Sequence, residues 1–245
     1  MRYLILSDIH ANWEALQAVV EHATGRYGRI LCCGDIVGYG ADPNAVTDWV
    51  RANAVTVIRG NHDKASAGLE DLDWFNPAAR EATLWTINNL EPGNAEYVRQ
   101  LPKGPIPVDG FQILHGSPLD EDEYLVGIGD AGQAFPYLDR QVTFFGHTHV
   151  QGGFVWTMTR IEPIKAPMQT GEKRLEVEPD SVYLLNPGSV GQPRDGDARA
   201  CYAVYDSETK VLDYFRVVYD VEGAQAKIRK AGLPELLASR LALGR

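Results

Sequence analysis

The chain has 245 residues, 44% apolar and 23% charged, which is globular composition with material for one substantial core. Its net charge is −10 and it has no block of Lys or Arg, which excludes long nucleic acids held by cationic neutralisation of their phosphates. No window approaches the roughly 20 apolar residues of a membrane span, and Cys32 beside Cys33 with Cys201 alone is no disulfide framework. The expected setting is a reducing cytoplasm, since the N-terminal apolar run meets Asp8 too soon for a signal peptide. In chain order, Tyr3–Leu6 reads as a strand, and Trp13, Leu16, Val19, Val20 and Ala23 repeat at helical spacing. Ile30–Cys33 is a second strand, Asp42-Pro43 opens a helix through Val50, and Val55–Ile58 is a third strand. This β-α-β-α-β order predicts a parallel sheet covered by helices.

Residues 64 to 100 read as a helical excursion. Ile106–Val108 and Phe111–Leu114 flank the hairpin dipeptide Asp109-Gly110. A helix is expected over Gln133–Leu138 and a strand over Val142–Phe145. Strands then dominate, at Gly153–Met158, Arg174–Val177, Val182–Leu185, Ala200–Tyr205 and Val211–Val218, and a tail over 222–243 reads as two helices broken near Gly232. The expectation is one domain over 1–245, a βα half followed by a mostly antiparallel half. Gly127, Gly129 and Gly132 spell a dinucleotide-loop pattern. They follow no strand and lack the acidic residue that would hold a ribose, so they read as a loop entering a helix.

The chemistry gathers where strands end. The first strand runs into Asp8-Ile9-His10, the second into Gly34-Asp35, the third into Gly60-Asn61-His62-Asp63. Later strands run into His115-Gly116 and Gly146-His147-Thr148-His149. Singly, such residues cap turns. Five clusters at the carboxyl ends of strands, holding five of the six histidines, point instead to a site at the sheet edge. Carboxylate and amide oxygens mixed with imidazoles, without cysteine, suit two divalent ions of Mn, Fe, Zn, Ni or Co rather than a structural zinc. The one-residue gaps in Asp8-x-His10 and His147-x-His149 predict extended backbone that points both side chains the same way.

These five motifs, in this order, resemble the calcineurin-like metallophosphoesterases. Gly34-Asp35-Ile36-Val37-Gly38-Tyr39-Gly40 and Asn186-Pro187-Gly188-Ser189-Val190-Gly191 are similar to the small bacterial branch rather than the large protein phosphatases. The resemblance implies an α/β fold, a four-layer α-β-β-α sandwich of two mixed sheets flanked by helices. It also implies one ion held by Asp8, His10, Asp35 and His149, and another by Asp35, Asn61, His115 and His147. The implied reaction is hydrolysis of a small phosphomonoester or phosphodiester by a bridging hydroxide, with His62 as general acid and Asp63 orienting and charging it. Arg194 is a candidate phosphate clamp through its bidentate fork, with pairing to Asp195 or Asp197 the alternative. Tyr39 and Trp74 are candidates for stacking on a base, so nucleotides are among the small substrates considered. The acidic run 120–123 is expected to repel polyanions if it overhangs the site. The rival functions are a nuclease of the same chemistry, which would need a cationic groove, and a metal-holding scaffold without turnover.

Overall fold

The computed structural model describes residues 1–245. Strand β1 (Arg2–Leu6), helix α1 (Trp13–Ala23), β2 (Arg29–Cys32), α2 (Pro43–Asn53) and β3 (Thr56–Val57) form the expected parallel unit. Asn12 caps α1, its side-chain oxygen accepting from the Ala15 N–H at 3.1 Å, and Ala15, Leu16, Val19 and Ala23 bury one helix stripe. Helices α3 (Asn61–Ser66), α4 (Pro77–Asn89) and α5 (Pro92–Arg99) lead to β4 (Ile106–Pro107) and β5 (Gln112–Ile113). Then come α6 (Ile128–Ala134), a 3₁₀ turn (Phe135–Tyr137), β6 (Val142–Phe144), β7 (Gly152–Trp156) and β8 (Ile161–Lys165). β9 (Glu172–Glu176), β10 (Val182–Asn186), β11 (Ala200–Asp206), β12 (Val211–Val217), α7 (Val221–Lys230) and α8 (Glu235–Leu241) complete the chain.

The strands form two six-stranded mixed sheets, in orders β3-β2-β1-β11-β12-β9 and β4-β5-β6-β10-β7-β8. Alternation along the strands decides the layers. Tyr3, Ile5, Leu31 and Tyr205 of the first sheet meet Ile113, Phe144 and Leu185 of the second in a core between the sheets. Leu4, Leu6, Ile30 and Cys32 point the other way, against α1, α2, α7 and α8, in a cluster of 33 buried residues. On the far side α6 covers Phe154 and Leu184. The result is the four-layer α-β-β-α sandwich. No helix is long and apolar enough to cross a membrane, and the three cysteines are free and buried.

Three expectations need correction. The later strands do not form a separate antiparallel half. β11 joins the first sheet beside β1, whereas β10 joins the second beside β6, so both sheets mix parallel and antiparallel pairs. The helix expected over Gln133–Leu138 begins earlier, at Ile128. Asp130 accepts from the Val126 and Gly127 N–H groups and caps it, so the glycine pattern forms the helix start. β8 was missed because Pro163 breaks the strand signal. β8 lies at a sheet edge, where a residue without an N–H is tolerated.

Candidate metal centre

The centre sits where the carboxyl ends of β1, β2 and β3 meet those of β5 and β6. Three hydrogen bonds zip the first two loops together: Asp8 N–H to Gly34 O at 3.0 Å, His10 N–H to Asp35 O at 3.0 Å and Ala11 N–H to Ile36 O at 2.9 Å. The phrase from Asn186 to Gly191 braces them. Ser189 Oγ and the Gly191 N–H donate to Asp8 O, and Asn186 Nδ2 donates to Gly146 O at 2.9 Å and Thr148 Oγ1 at 3.0 Å. Close approach requires glycine here. A Cβ on Gly34, whose φ is +98°, would stand 2.7 Å from Gly60 N and 2.8 Å from His115 Nδ1.

The expectation of extended backbone is overturned. Asp8, His10, Asp35, His147 and His149 have φ of 51°, 48°, 54°, 65° and 60°, in the left-handed region. Extended chain would hold alternate side chains parallel and about 6.6 Å apart. The left-handed turns instead let Asp8 and His10 close on one cluster while His147 and His149 serve different ones. Each such residue costs on the order of 1 kcal/mol or more, which the surrounding hydrogen bonds and core must offset.

Two overlapping groups result, Asp8–His10–Asp35–His149 and Asp35–His115–His147, within each of which the candidate ligand atoms lie no more than 4.8 Å apart. Each of the four histidines in these groups is oriented by a backbone carbonyl. His10 Nδ1 meets Val37 O at 3.0 Å, His115 Nδ1 meets Cys33 O at 2.8 Å, His149 Nδ1 meets Gln192 O at 2.6 Å, and His147 Nε2 meets Asp122 O at 2.9 Å. A carbonyl only accepts, so each of these nitrogens carries a proton, and in the neutral ring the other nitrogen presents a lone pair. His10 Nε2 and His149 Nε2 then face each other at 3.1 Å as two lone pairs, an arrangement that calls for a cation. Asp8 Oδ2 and Asp35 Oδ2 are buried without a hydrogen-bond partner, which is costly for an anionic oxygen unless a cation meets it. Asn61 extends the second group, its Oδ1 lying 3.3 Å from His115 Nε2. The donors present therefore fit divalent metal.

Charges reinforce this reading. Burial pushes Asp8 up to about 7 and holds His10 and His149 well below the ordinary imidazole value. Burial also opposes ionisation of Asp35, but His115, His62 and His10 outweigh it and draw Asp35 well below the usual carboxylate range. For His115, burial is overcome by Asp35 and then Asp8, which raise it to about 10. A proton on His115 thus stands where a cation would.

His62, on the first turn of α3, lies among rings: Tyr39, His10 and Phe75 have centroids 4.3, 4.9 and 5.0 Å away. Its Nδ1 is buried and unbonded. The expected partnership with Asp63 does not form. Asp63 Oδ1 accepts from the Ile36 and Val37 N–H groups at 3.0 and 3.1 Å, and its Oδ2 accepts from the Gly60 N–H at 3.0 Å. Asp63 is a positioning residue that ties the Asp35 loop to α3, because three backbone donors take up its carboxylate. Arg194 does not pair with Asp195 or Asp197, which bond to Arg216 and Arg199. Its Nη2 lies 3.3 Å from both Tyr39 Oη and Gln192 Oε1. Tyr39 is buried against the rings of His10 and His62 at the wall of a cleft, whereas Trp74 is 90% exposed.

A cleft of about 360 Å³ opens on Asn61, His62 and His147, walled by Trp74, Phe75 and Tyr124. Asp122, in the acidic run, borders this cleft, and Lys64 Nζ holds both Asp122 and Glu70. Sequence reasoning missed Tyr124, which stacks on His147 at 3.9 Å, and the four carbonyls that orient the histidines. A carbonyl has no side-chain signature, and Tyr124 lay unremarked beside the acidic run.

A buried carboxylate–imidazole cluster at the junction of two mixed sheets is what a metal-dependent phosphoesterase requires, and comparison with known proteins gives the same class. The chain belongs to the calcineurin-like phosphoesterase superfamily, whose domain model matches residues 1–210. It is similar to a metallophosphoesterase from Sphaerobacter thermophilus, with 39% identity and a TM-score of 0.88 over 100% of this chain and 99% of that one. An uncharacterised protein of Methanocaldococcus jannaschii is 37% identical over 98% of this chain and 97% of its own length. A hypothetical protein from Pyrococcus horikoshii shares the fold, at 19% identity and a TM-score of 0.79 over 100% and 98% of the chains.

Proposed function

We propose that the chain hydrolyses a small phosphate ester at a centre of two divalent ions drawn from Mn, Fe, Zn, Ni and Co. Asp8, His10, Asp35 and His149 would hold one ion, and Asp35, Asn61, His115 and His147 the other. The observation that carries this reading is Asp35 Oδ2, buried, unbonded, and 3.6 and 3.4 Å from the Nε2 atoms of His10 and His115. A carboxylate oxygen so placed is suited to bridge two cations. When bound, the ions would supply positive charge to the phosphoryl oxygens and acidify the attacking water.

The protein's own groups do the rest. Burial holds His62 at about 4, so the ring is neutral until an ester phosphate enters the cleft and favours its protonation, after which it can protonate the leaving oxygen. Asp63 keeps the Asp35 loop against α3. Arg194, free of carboxylate partners, would hold a phosphate oxygen. The net charge of −10 fits a small substrate, a nucleotide among them, rather than long nucleic acid. The test is hydrolysis of p-nitrophenyl phosphate and bis-p-nitrophenyl phosphate by metal-stripped protein, with and without each of the five ions. Restored turnover supports the reading. Tight ion binding with no turnover of either ester would make the chain a metal-holding scaffold.

A further inference from the structure

Arg194 has a neighbour of like charge. The Cζ atoms of Arg194 and of Arg240, on α8, lie 5.8 and 5.9 Å from the centre of the Tyr39 ring, so two half-buried guanidiniums share one aromatic ring. Neither makes an ion pair with an aspartate or glutamate. Beside Arg194 in the chain, Asp195 is taken by Arg216, and Asp197 by Arg199 and Arg216. Arg194 Nε is buried without a partner, and its Nη2 meets only the neutral Tyr39 Oη and Gln192 Oε1. Arg240 donates from Nε to Arg245 O at 2.5 Å and leaves both terminal nitrogens unbonded. Burial, and then the charge of Arg194, lower Arg240 below the usual guanidinium value. Two such cations side by side, in a chain of net charge −10, call for an anion.

The fold holds the pair in place. The Gly196 N–H donates to Gly244 O at 2.9 Å, which ties the Arg194 loop to the end of α8. A Cβ on Gly244, whose φ is +61°, would strike the Asp197 backbone, so this close approach requires glycine. The Arg194 N–H donates to His149 O at 3.2 Å, and the charge of Arg194 reaches Asp8, His10, His62 and His149. A second cleft, about 540 Å³, lies on the other side of the His147–His149 loop. Arg194 lines this cleft, Tyr39 lines the one walled by Trp74, and Tyr124 lines both. The arginines therefore stand where the two clefts adjoin. A phosphate on the ions would be served by the metals and Arg194, which leaves the free end of Arg240 for another group.

We infer that Arg240 is a specificity-determining residue: with Arg194 it binds a second oxyanion, carboxylate or phosphate, that the substrate carries beyond the ester being cleaved. The inference rests on the phosphoesterase reading above and adds a charge requirement to it. The tail that supplies Arg240 lies outside residues 1–210, which the family's domain model matches, so the residue belongs to this chain's own elaboration of the domain.

The experiment measures, by calorimetry on the manganese-loaded protein, the affinities of 3-phosphonopropionate, its neutral amide 3-phosphonopropionamide, and ethylene-1,2-diphosphonate. Turnover of p-nitrophenyl phosphate and its bis ester is measured in parallel. The acid is expected to bind about tenfold or more tighter than the amide, as a charge-assisted hydrogen bond allows. Arg240→Gln is expected to bring acid and amide within about twofold of each other, and Arg240→Lys to keep part of the difference. Arg160→Gln, which removes the same charge at an exposed position, leaves the ratio unaltered. Tighter binding of the diphosphonate than of the carboxylate supports the inference with phosphate as the second group, and the reverse order supports it with carboxylate. An Arg240 that merely packed Tyr39 would, on substitution, weaken acid and amide alike. That result, or equal binding of acid and amide by the unmodified protein, overturns the inference and leaves the phosphoesterase reading standing. Turnover of neither ester removes the reading and the inference together.

Discussion

Asp8, His10 and His149 are 1% exposed or less and border neither large cleft, whereas Asn61 is half-buried and, with His147, forms part of the aromatic cleft wall. One half of the centre is closed and the other opens on the cleft. In the closed half the rings are turned by Val37 and Gln192, carbonyls of loops braced to the first sheet. In the open half His147 is turned by Asp122, from a surface loop, and covered by Tyr124, which is 48% exposed. A site that must grip a cation and still admit a ligand divides the two tasks, and the division has measurable consequences. The closed half is expected to retain its ion and the open half to exchange it.

The largest effect is expected where the halves meet. Asp35→Asn keeps shape and removes the shared charge, so both ions weaken together and kcat/KM falls by on the order of 10³. Metal analysis showing one full-strength site in this variant would break the bridge. Next comes His62→Ala, with a kcat loss on the order of 10² for alkyl esters, little change in metal content, and the least loss for activated leaving groups. Equal losses across leaving groups remove the general-acid role. Asp63→Asn acts further back. It disturbs the N–H groups of Ile36, Val37 and Gly60, weakens metal binding by about 10–100-fold, and leaves the dependence on leaving group unchanged. That last readout separates it from His62.

Acidity distinguishes the metal-free centre from the loaded one. Asp8, raised to about 7, and His115, raised to about 10, hold protons that an entering cation must displace. The free protein therefore binds more protons than the loaded protein, and metal affinity rises with pH. The rise is steeper below about 7, where both groups are protonated, and shallower from 7 to 10, where only His115 is. Calorimetric titrations in two buffers of different ionisation enthalpy read the protons released, and a pH-independent affinity across this range contradicts the assignment.

The parts of this centre that could be read from sequence are those where metal chemistry restricts residue type. Asp8, Asp35 and the paired histidines stand out because few other side chains can bind such ions, and strand ends place them on one edge. Their backbone could not be read. Left-handed φ at a non-glycine residue leaves no mark in composition, so alternation was expected where the chain turns. The carbonyls of Val37, Cys33, Asp122 and Gln192 are likewise silent, since any residue carries one. Asp63 misled because adjacency to His62 in sequence suggests contact, whereas the first turn of α3 sends its carboxylate back toward Ile36 and Gly60. β8 failed for a simpler reason: an edge strand tolerates the proline that argues against a central one.

The smallest expected effect bears most directly on the two halves. Tyr124 stacks on His147 with planes 28° apart, and its ring pairs with neither His10 nor His149. Such a stack contributes about 0.5–1.5 kcal/mol beyond area burial, so Tyr124→Ala should weaken one of two metal-binding steps by roughly two- to tenfold. Tyr124→Phe keeps the ring and should restore that step. The other step, set by Asp8, His10 and His149, should not move, because none of those side chains borders the cleft that Tyr124 walls. Titration with manganese under conditions that resolve both steps decides the matter. If both shift equally, the halves are one cooperative unit and the closed ion is not held independently of the open one.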